Sequence, residues 1–155
     1  MKKLLLLALA FSFSTVSLTY AQSTKTQKEV FQSTYNSLKA LVKTQQYSYA
    51  GEVVYNNKNR EILNAEENTI KIDKRTASGT VTSLSTEKKT FDLNGTISDY
   101  NASFDDAQQI ITIEFKVQSE SQTVNVFIDV RPNGNAFLTA SVGGSNSISW
   151  TGRLK

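Results

Sequence analysis

Residues 109–155 read QIITIEFKVQSESQTVNVFIDVRPNGNAFLTASVGGSNSISWTGRLK, a run that alternates apolar and polar side chains four times over. Ile111, Ile113, Phe115 and Val117 share one parity, and Val124, Val126, Ile128 and Val130 share the next. Ala136, Leu138, Ala140 and Val142 follow, then Ile148, Trp150, Gly152 and Leu154. Successive side chains of a strand point to opposite faces, so this period of two predicts an antiparallel meander with one buried face.

The turns test that reading, because a slip of one residue moves every side chain to the other face. Pro132-Asn133-Gly134 suits a three-residue hairpin loop with a left-handed Gly. It pairs Val130 with Ala136, Ile128 with Leu138, Val126 with Ala140, and Val124 with Val142. An even-numbered loop within Gln118 to Thr123 sets Val117 opposite Val124 and Phe115 opposite Val126. A three-residue loop at Gly144-Ser145-Asn146 pairs Val142 with Ile148, Ala140 with Trp150, Leu138 with Gly152, and Ala136 with Leu154. Small residues then sit opposite large ones, as interdigitating layers require.

The opposite face is mostly polar, with two exceptions. Phe127 and Phe137 become diagonal neighbours there, and this register puts Arg153 directly across from Phe137. Three fates are open to them: cover by an N-terminal helix, isolation on the surface, or membership of a ligand or partner patch. Aromatic rings beside an Arg serve recognition in many sites.

Upstream, Ser23 to Thr44 has Val30, Phe31, Thr34, Leu38, Leu41 and Val42 at spacings of three and four, the stripe of an amphipathic helix. Thr26 and Glu29 fit a capping box, and Lys39 and Lys43 suit the helix's negative pole. The helix either packs on the sheet or serves a membrane surface or partner. Tyr47, Tyr49, Gly51, Val53 and Tyr55 then alternate with Ser48, Ala50, Glu52 and Val54 as a first strand. Asn56-Asn57-Lys58-Asn59 is a turn leading to a partner strand within Arg60 to Asn64. Thr69 to Lys74 is another strand. Arg75 to Lys89 is either a weak edge hairpin around Ser78-Gly79 or a mobile loop. Lys89 to Leu93 reads as a strand ended by Asn94-Gly95, and Ile97 to Phe104 is ambiguous before the Asp105-Asp106 turn.

Met1 to Ala21 has the build of a cleaved secretory signal. Lys2 and Lys3 are followed by an apolar run from Leu4 to Phe13, then Thr19-Tyr20-Ala21. The run is too short to span a membrane, and no Cys is present to carry a lipid anchor. The expected mature chain starts at Gln22 and is periplasmic or secreted. It forms a single β-rich domain, 22–155, with its helix at about 23–44. Removing Lys2 and Lys3 from the 17 basic residues leaves 15 against 14 acidic ones, a net of +1. No basic block stands out, so a nucleic-acid partner is not expected.

His and Cys are both absent, which removes Ser-His-Asp and Cys-His catalysis, His/Cys metal sites and His general bases. Carboxylates remain. Glu66-Glu67 and Asp105-Asp106 are adjacent in sequence, and adjacent residues of an extended segment point to opposite sides, so neither is a natural acid/base pair. Both read as solvated turn residues. Asp92, Asn94, Asp99, Asn101, Asp105 and Asp106 are rich in oxygen, but their spacing matches no calcium loop. Asn94-Gly95-Thr96 and Asn101-Ala102-Ser103 match the glycosylation acceptor pattern, incidental behind a bacterial-looking signal. The residues point to no cofactor, no metal and no enzyme.

Several segments resemble the DUF4251 family of uncharacterised exported bacterial proteins. Tyr47-Ser48-Tyr49-Ala50 after a Lys- and Gln-containing helix is similar to the family's opening. Asn133 to Val142 and Ile148-Ser149-Trp150-Thr151-Gly152-Arg153-Leu154 resemble its ending, with Trp150 where Tyr is usual. The family's Leu-Pro-Tyr-x-Gly segment falls at Phe91-Asp92-Leu93-Asn94-Gly95, which keeps mainly the Gly. The resemblance implies the fold and export, and no functional residues, because the family has no established activity.

The expectation is therefore a mainly β (α+β) domain. An N-terminal amphipathic helix packs on an antiparallel β-meander that forms a curved sheet, a sandwich or a lipocalin-like barrel. Its function is binding, of a small amphipathic ligand or an envelope protein, with candidate contacts Tyr47, Tyr49, Tyr55, Phe127, Phe137 and Arg153. An envelope structural role through a sheet edge or the aromatic patch is the alternative, and a carboxylate hydrolase a more distant one.

Overall fold

The computed structural model describes residues 25–56, 58–87, 89–120, 122–143 and 147–155. The expected signal sequence and its expected cleavage point fall outside these residues. One helix, α1 (Gln27–Lys43), precedes ten strands: β1 (Gln46–Tyr55), β2 (Arg60–Ile62), β3 (Thr69–Asp73), β4 (Thr76–Thr82), β5 (Thr90–Asp92), β6 (Gly95–Asp105), β7 (Ile110–Gln118), β8 (Thr123–Val130), β9 (Asn135–Val142) and β10 (Ile148–Leu154).

Antiparallel pairing runs from β1 to β3 and β4, on through β5 and β6 to β7, β8, β9 and β10, with β2 a side strand on β1. β10 returns to pair with β1, which closes an eight-stranded lipocalin-like barrel. β5 and β6 form one wall strand, since both keep the same register against β4. Between them the Leu93 amide still bonds the Gly79 carbonyl, and the Asn94 side chain accepts from the Gly79 amide. Arg75 to Lys89 is therefore not an edge hairpin around Ser78-Gly79, and only its second half, after Thr82, runs as a connection. Its first half is β4, deep in the wall, and the hairpin turns at Lys74-Arg75 instead. Gly79 passes through the strand at φ +126, where a Cβ would lie 2.0 Å from the Thr69 carbonyl oxygen.

The first two hairpins of the meander have the expected registers: Phe115 faces Val126, Val117 faces Val124, and Val130 faces Ala136. The third differs. Ile148 faces Ala140, Trp150 faces Leu138 and Gly152 faces Ala136, a shift of two residues that keeps parity but lengthens the connection. The proposed loop residues 144–146 fall outside the described ones. The cause of the shift lies in β1. Gly152 pairs with Gly51, and a Cβ on Gly152 would sit 1.9 Å from the Ala50 carbonyl oxygen. Glycines let these two backbones meet, and that seam sets the height of β10.

The lumen is filled. Trp150, Tyr49, Ile70, Ile72, Leu84, Leu93, Ile113, Ile128 and Leu138 are all fully buried. The Trp150 indole N–H reaches across to the Thr82 carbonyl at 2.7 Å, and the Phe91 ring meets it edge-on at 5.5 Å. At this end Glu61 accepts from the Ser85 amide and hydroxyl, both at 2.8 Å, tying β2 to the β4–β5 connection across the mouth.

Helix α1 covers the other end. Its capping box is formed by Thr26 and Glu29. β4 pairs with only the first residues of β6, and the helix packs beside the remainder of β6, which stays paired to β7 but has no strand on its β4 side. Tyr35 donates to Asp106 at 2.6 Å, with Lys39 on the same carboxylate oxygen. These bonds hold the Asp106 carboxyl below the usual carboxylate value. The buried Gln109 amide bonds the Lys28 carbonyl and the Gln32 side chain. Tyr35 and Val42 are buried, whereas Val30 of the expected stripe is exposed. No helix among the described residues is long and apolar enough to cross a membrane.

Candidate functional site

β1 decides where the aromatic residues go. Tyr47 and Tyr49 face inward, and then a β-bulge between Gly51 and Val53 inserts Glu52. A bulge adds one residue to one strand, so the parity beyond it reverses. Val54 turns inward, while Val53 and Tyr55 turn out. The expected Tyr47, Tyr49, Tyr55 stripe on one face therefore does not exist. The bulge lies where β1 leaves its pairing with β3 for pairing with β2.

Tyr47 and Tyr49 belong to the core. The Tyr47 hydroxyl pairs with that of Tyr100 at 3.2 Å, bridging β1 to the part of β6 that β4 does not reach. Burial pushes both phenols well above the ordinary value of 10.0. The Tyr49 hydroxyl is buried without a well-formed hydrogen bond, although the Leu138 main chain offsets part of its shift.

The other candidates meet on the outer wall of β8, β9, β10 and β1. The registers lay out cross-strand rows there. One runs Phe127, Thr139, Ser149, Tyr55; the next runs Asp129, Phe137, Thr151, Val53. Asn135 and Arg153 sit opposite each other beyond these. Thr151, not Arg153, faces Phe137, a consequence of the shifted third hairpin. Arg131 instead lies over the Phe137 ring, 6.0 Å from its centroid, and also binds Asp129 at 2.7 Å. Arg153 pairs with Glu52 at 3.6 Å. Helix α1 does not cover Phe127, which is 40 % exposed.

Three depressions flank this wall. One of about 310 Å³ is bordered by Phe127, Thr139, Ser141 and Asn125, together with Glu114 and the Asp99–Lys116 ion pair (2.8 Å). On the far side, depressions of about 470 and 630 Å³ meet at Tyr55, Asn56 and Lys58. Thr151 and Arg60 border the first of these, and Ser149, Glu87 and Lys89 the second. The Thr139 and Ser149 hydroxyls bond each other at 3.1 Å. The arrangement offers rings for stacking, short hydroxyls that both donate and accept, and charges at its margins.

Sequence reading missed Val53, Lys58, Arg60, Ser149 and Thr151, because only barrel closure brings β1 and β10 together. The signal that could have found them is the pair Gly51 and Gly152, each a lone Gly in a strand pattern, which marks a close backbone approach or a bulge. The paired carboxylates have structural places. Asp105 closes the β6–β7 turn by accepting from the Ala107 and Gln108 amides, Asp106 holds the helix, and Glu67 accepts from Asn64. Among the described residues no group of three acidic side chains gathers where a metal ion could be held.

Fold and face together define a closed up-and-down barrel with a side-chain-filled lumen and an aromatic, hydroxyl-bearing outer wall. Residues 29–154 match the model of a family described as a domain of unknown function, DUF4251, and the chain belongs to that family. A crystal structure of a DUF4251 family protein from Bacteroides eggerthii DSM 20697 is similar to it, with a TM-score of 0.67 and 20 % identity, covering 83 % of this chain and 91 % of that one. At that identity the likeness concerns the fold. No curated protein matches the chain.

Proposed function

We propose that the protein is an exported, non-catalytic binding domain that engages its ligand or partner on the outer wall of β8, β9, β10 and β1. One observation carries this reading: the lumen is occupied by its own side chains, while Tyr55, Phe127 and Phe137 share the outside of the barrel. Lipocalin-like barrels that bind inside need an open cup, and here Trp150, Leu84 and Phe91 fill that space. Export is supported by the Met1 to Ala21 pattern and places the domain in the periplasm or outside the cell. The absence of His and Cys from the sequence supports a non-catalytic role.

A photo-crosslinking side chain at position 127, 139 or 149, expressed in the native host, tests the face. Adducts are expected at these positions and not at 71 or 78 on β3 and β4. Equal labelling of both sets, or none at 127, 139 and 149, would sink the proposal. A mature N-terminus other than Gln22, read by mass spectrometry, would displace the cleavage point.

A second reading has one observation behind it. β2 pairs only with β1, and Ile62 on it is 86 % exposed. Such an edge accepts an added strand. A change in oligomeric state on Ile62→Asp would favour it.

A further inference from the structure

Three cations at the β1–β2 end of the outer wall have no carboxylate partner among the described residues. Lys58 lies in the β1–β2 hairpin, Arg60 opens β2, and Lys89 precedes β5. Each borders one of the two depressions that meet at Tyr55. The ion pairs among the described residues use Lys39, Lys116, Arg131 and Arg153. Elsewhere on this wall the arginines are therefore answered: Arg131 by Asp129 and Arg153 by Glu52. Around Tyr55 the cations Lys58, Arg60 and Lys89 have no such answer among the described residues. The carboxylate on these linings, Glu87, accepts from the Asn56 amide at 3.1 Å and forms no ion pair among the described residues. The local excess of positive charge contrasts with a near-neutral mature chain, and a concave basic site of this kind draws anions.

The neighbouring side chains narrow the anion's class. Tyr55 presents its ring between the two depressions, with Val53 beside it. A pyranose offers such a ring its C–H face. Ser149 and Thr151, on β10 opposite Tyr55 and Val53, supply hydroxyls that donate and accept alike, as sugar hydroxyls require. The same chemistry continues through Thr139 to Phe127, three strand spacings away, or about 14 Å. That track suits several linked rings better than one.

We infer that the Tyr55 rim binds an acidic saccharide chain. Its carboxylate or sulfate groups meet Lys58, Arg60 and Lys89, and a sugar ring lies on Tyr55. The assignment rests on the outer-wall reading above and adds the ligand's chemistry to it.

The test titrates the full-length chain, expressed and processed in a bacterial host, with polygalacturonate at low salt. Neutral dextran and polyglutamate serve as comparison polymers. The expected result is binding of polygalacturonate, none of dextran, and at least ten-fold weaker binding of polyglutamate. Raising the salt weakens it, since screening acts on exposed charges. Tyr55→Ala is expected to lower affinity about ten-fold with no change in charge, and Tyr55→Leu does the same should the Ala variant fail to fold. Lys58→Ala with Arg60→Ala lowers affinity and flattens the salt dependence. Equal affinity for polyglutamate, or an unaltered Tyr55→Ala variant, would overturn the saccharide assignment, because charge alone would then explain binding. Failure to bind polygalacturonate overturns it as well. If crosslinks at 127 and 139 persist in that case, the outer-wall reading stands alone; if they are absent, both fall.

Discussion

Gly152 governs the seam of this barrel through an atom it lacks. A methyl group there would stand 1.9 Å from the Ala50 carbonyl oxygen and 3.0 Å from the Gly51 Cα, both backbone atoms that cannot rotate away. Gly152→Ala is therefore expected to cost about 3 kcal/mol, toward the upper end for an overpacked site, and to lower the melting temperature by roughly 10 °C. Gly143→Ala is the control. It meets nothing within 4 Å, and its cost is the strain of an L-residue at φ +56, about 1 kcal/mol. Matching denaturation midpoints for the two variants would contradict the seam. Both glycines are visible in the sequence, but the reason for one of them is not. The Ala50 carbonyl lies about a hundred residues away along the chain, and no local pattern announces that contact.

Among the elements, β10 separates what alternation can settle from what it cannot. Parity follows from burial alone, so Ile148, Trp150, Gly152 and Leu154 face inward under either pairing with β9. The height of β10 follows from its second partner, β1. Turn length argued for the wrong height because it considers one hairpin at a time. The chain has no Cys, which makes the register directly measurable. Thr139→Cys with Ser149→Cys places two thiols directly across from each other, and these are expected to oxidise readily. Ser141→Cys with Ser149→Cys, neighbours under the shorter loop, are offset by two residues, about 6.6 Å along the strand, and are expected to stay reduced. The opposite outcome would restore the three-residue loop. β1 shows the same division. Its alternation was legible up to Gly51, and the bulge that turns Tyr55 outward was not.

At the scale of the whole barrel, three phenols, Tyr35, Tyr47 and Tyr49, lie in the core and a fourth, Tyr100, packs half-buried against it. Tyr35, Tyr47, Tyr49 and Tyr100 are all pushed above 10.0, with burial the largest cause for each. A group whose folded value is raised adds stability in full below its unfolded value and loses it as pH climbs toward the folded one. Stability is therefore expected to hold up to about pH 9.5 and to fall steeply above about pH 10. The four phenolates should appear in near-ultraviolet absorbance together with the loss of near-ultraviolet circular dichroism. Smooth ionisation of these tyrosines in a chain that keeps its native dichroism would show that they are not sealed in the core.

Much of this architecture was written locally. A capping box, a period of 3.6 and then repeated periods of two specify a helix followed by strands with one wet face, because each depends only on residues a few positions apart. The turn at Pro132-Asn133-Gly134 even specified a register. Closure of the barrel belongs to the tertiary structure alone. Joining β1 to β10 requires contacts across most of the chain, and it sets the third register, reverses β1 through its bulge and fills the lumen with Trp150. It also gathers Tyr55, Phe127 and Phe137 on one outer wall beside cations drawn from β2 and from the segment before β5. Periodicity states which face a side chain takes, whereas only packing the whole barrel determines which distant side chains share that face.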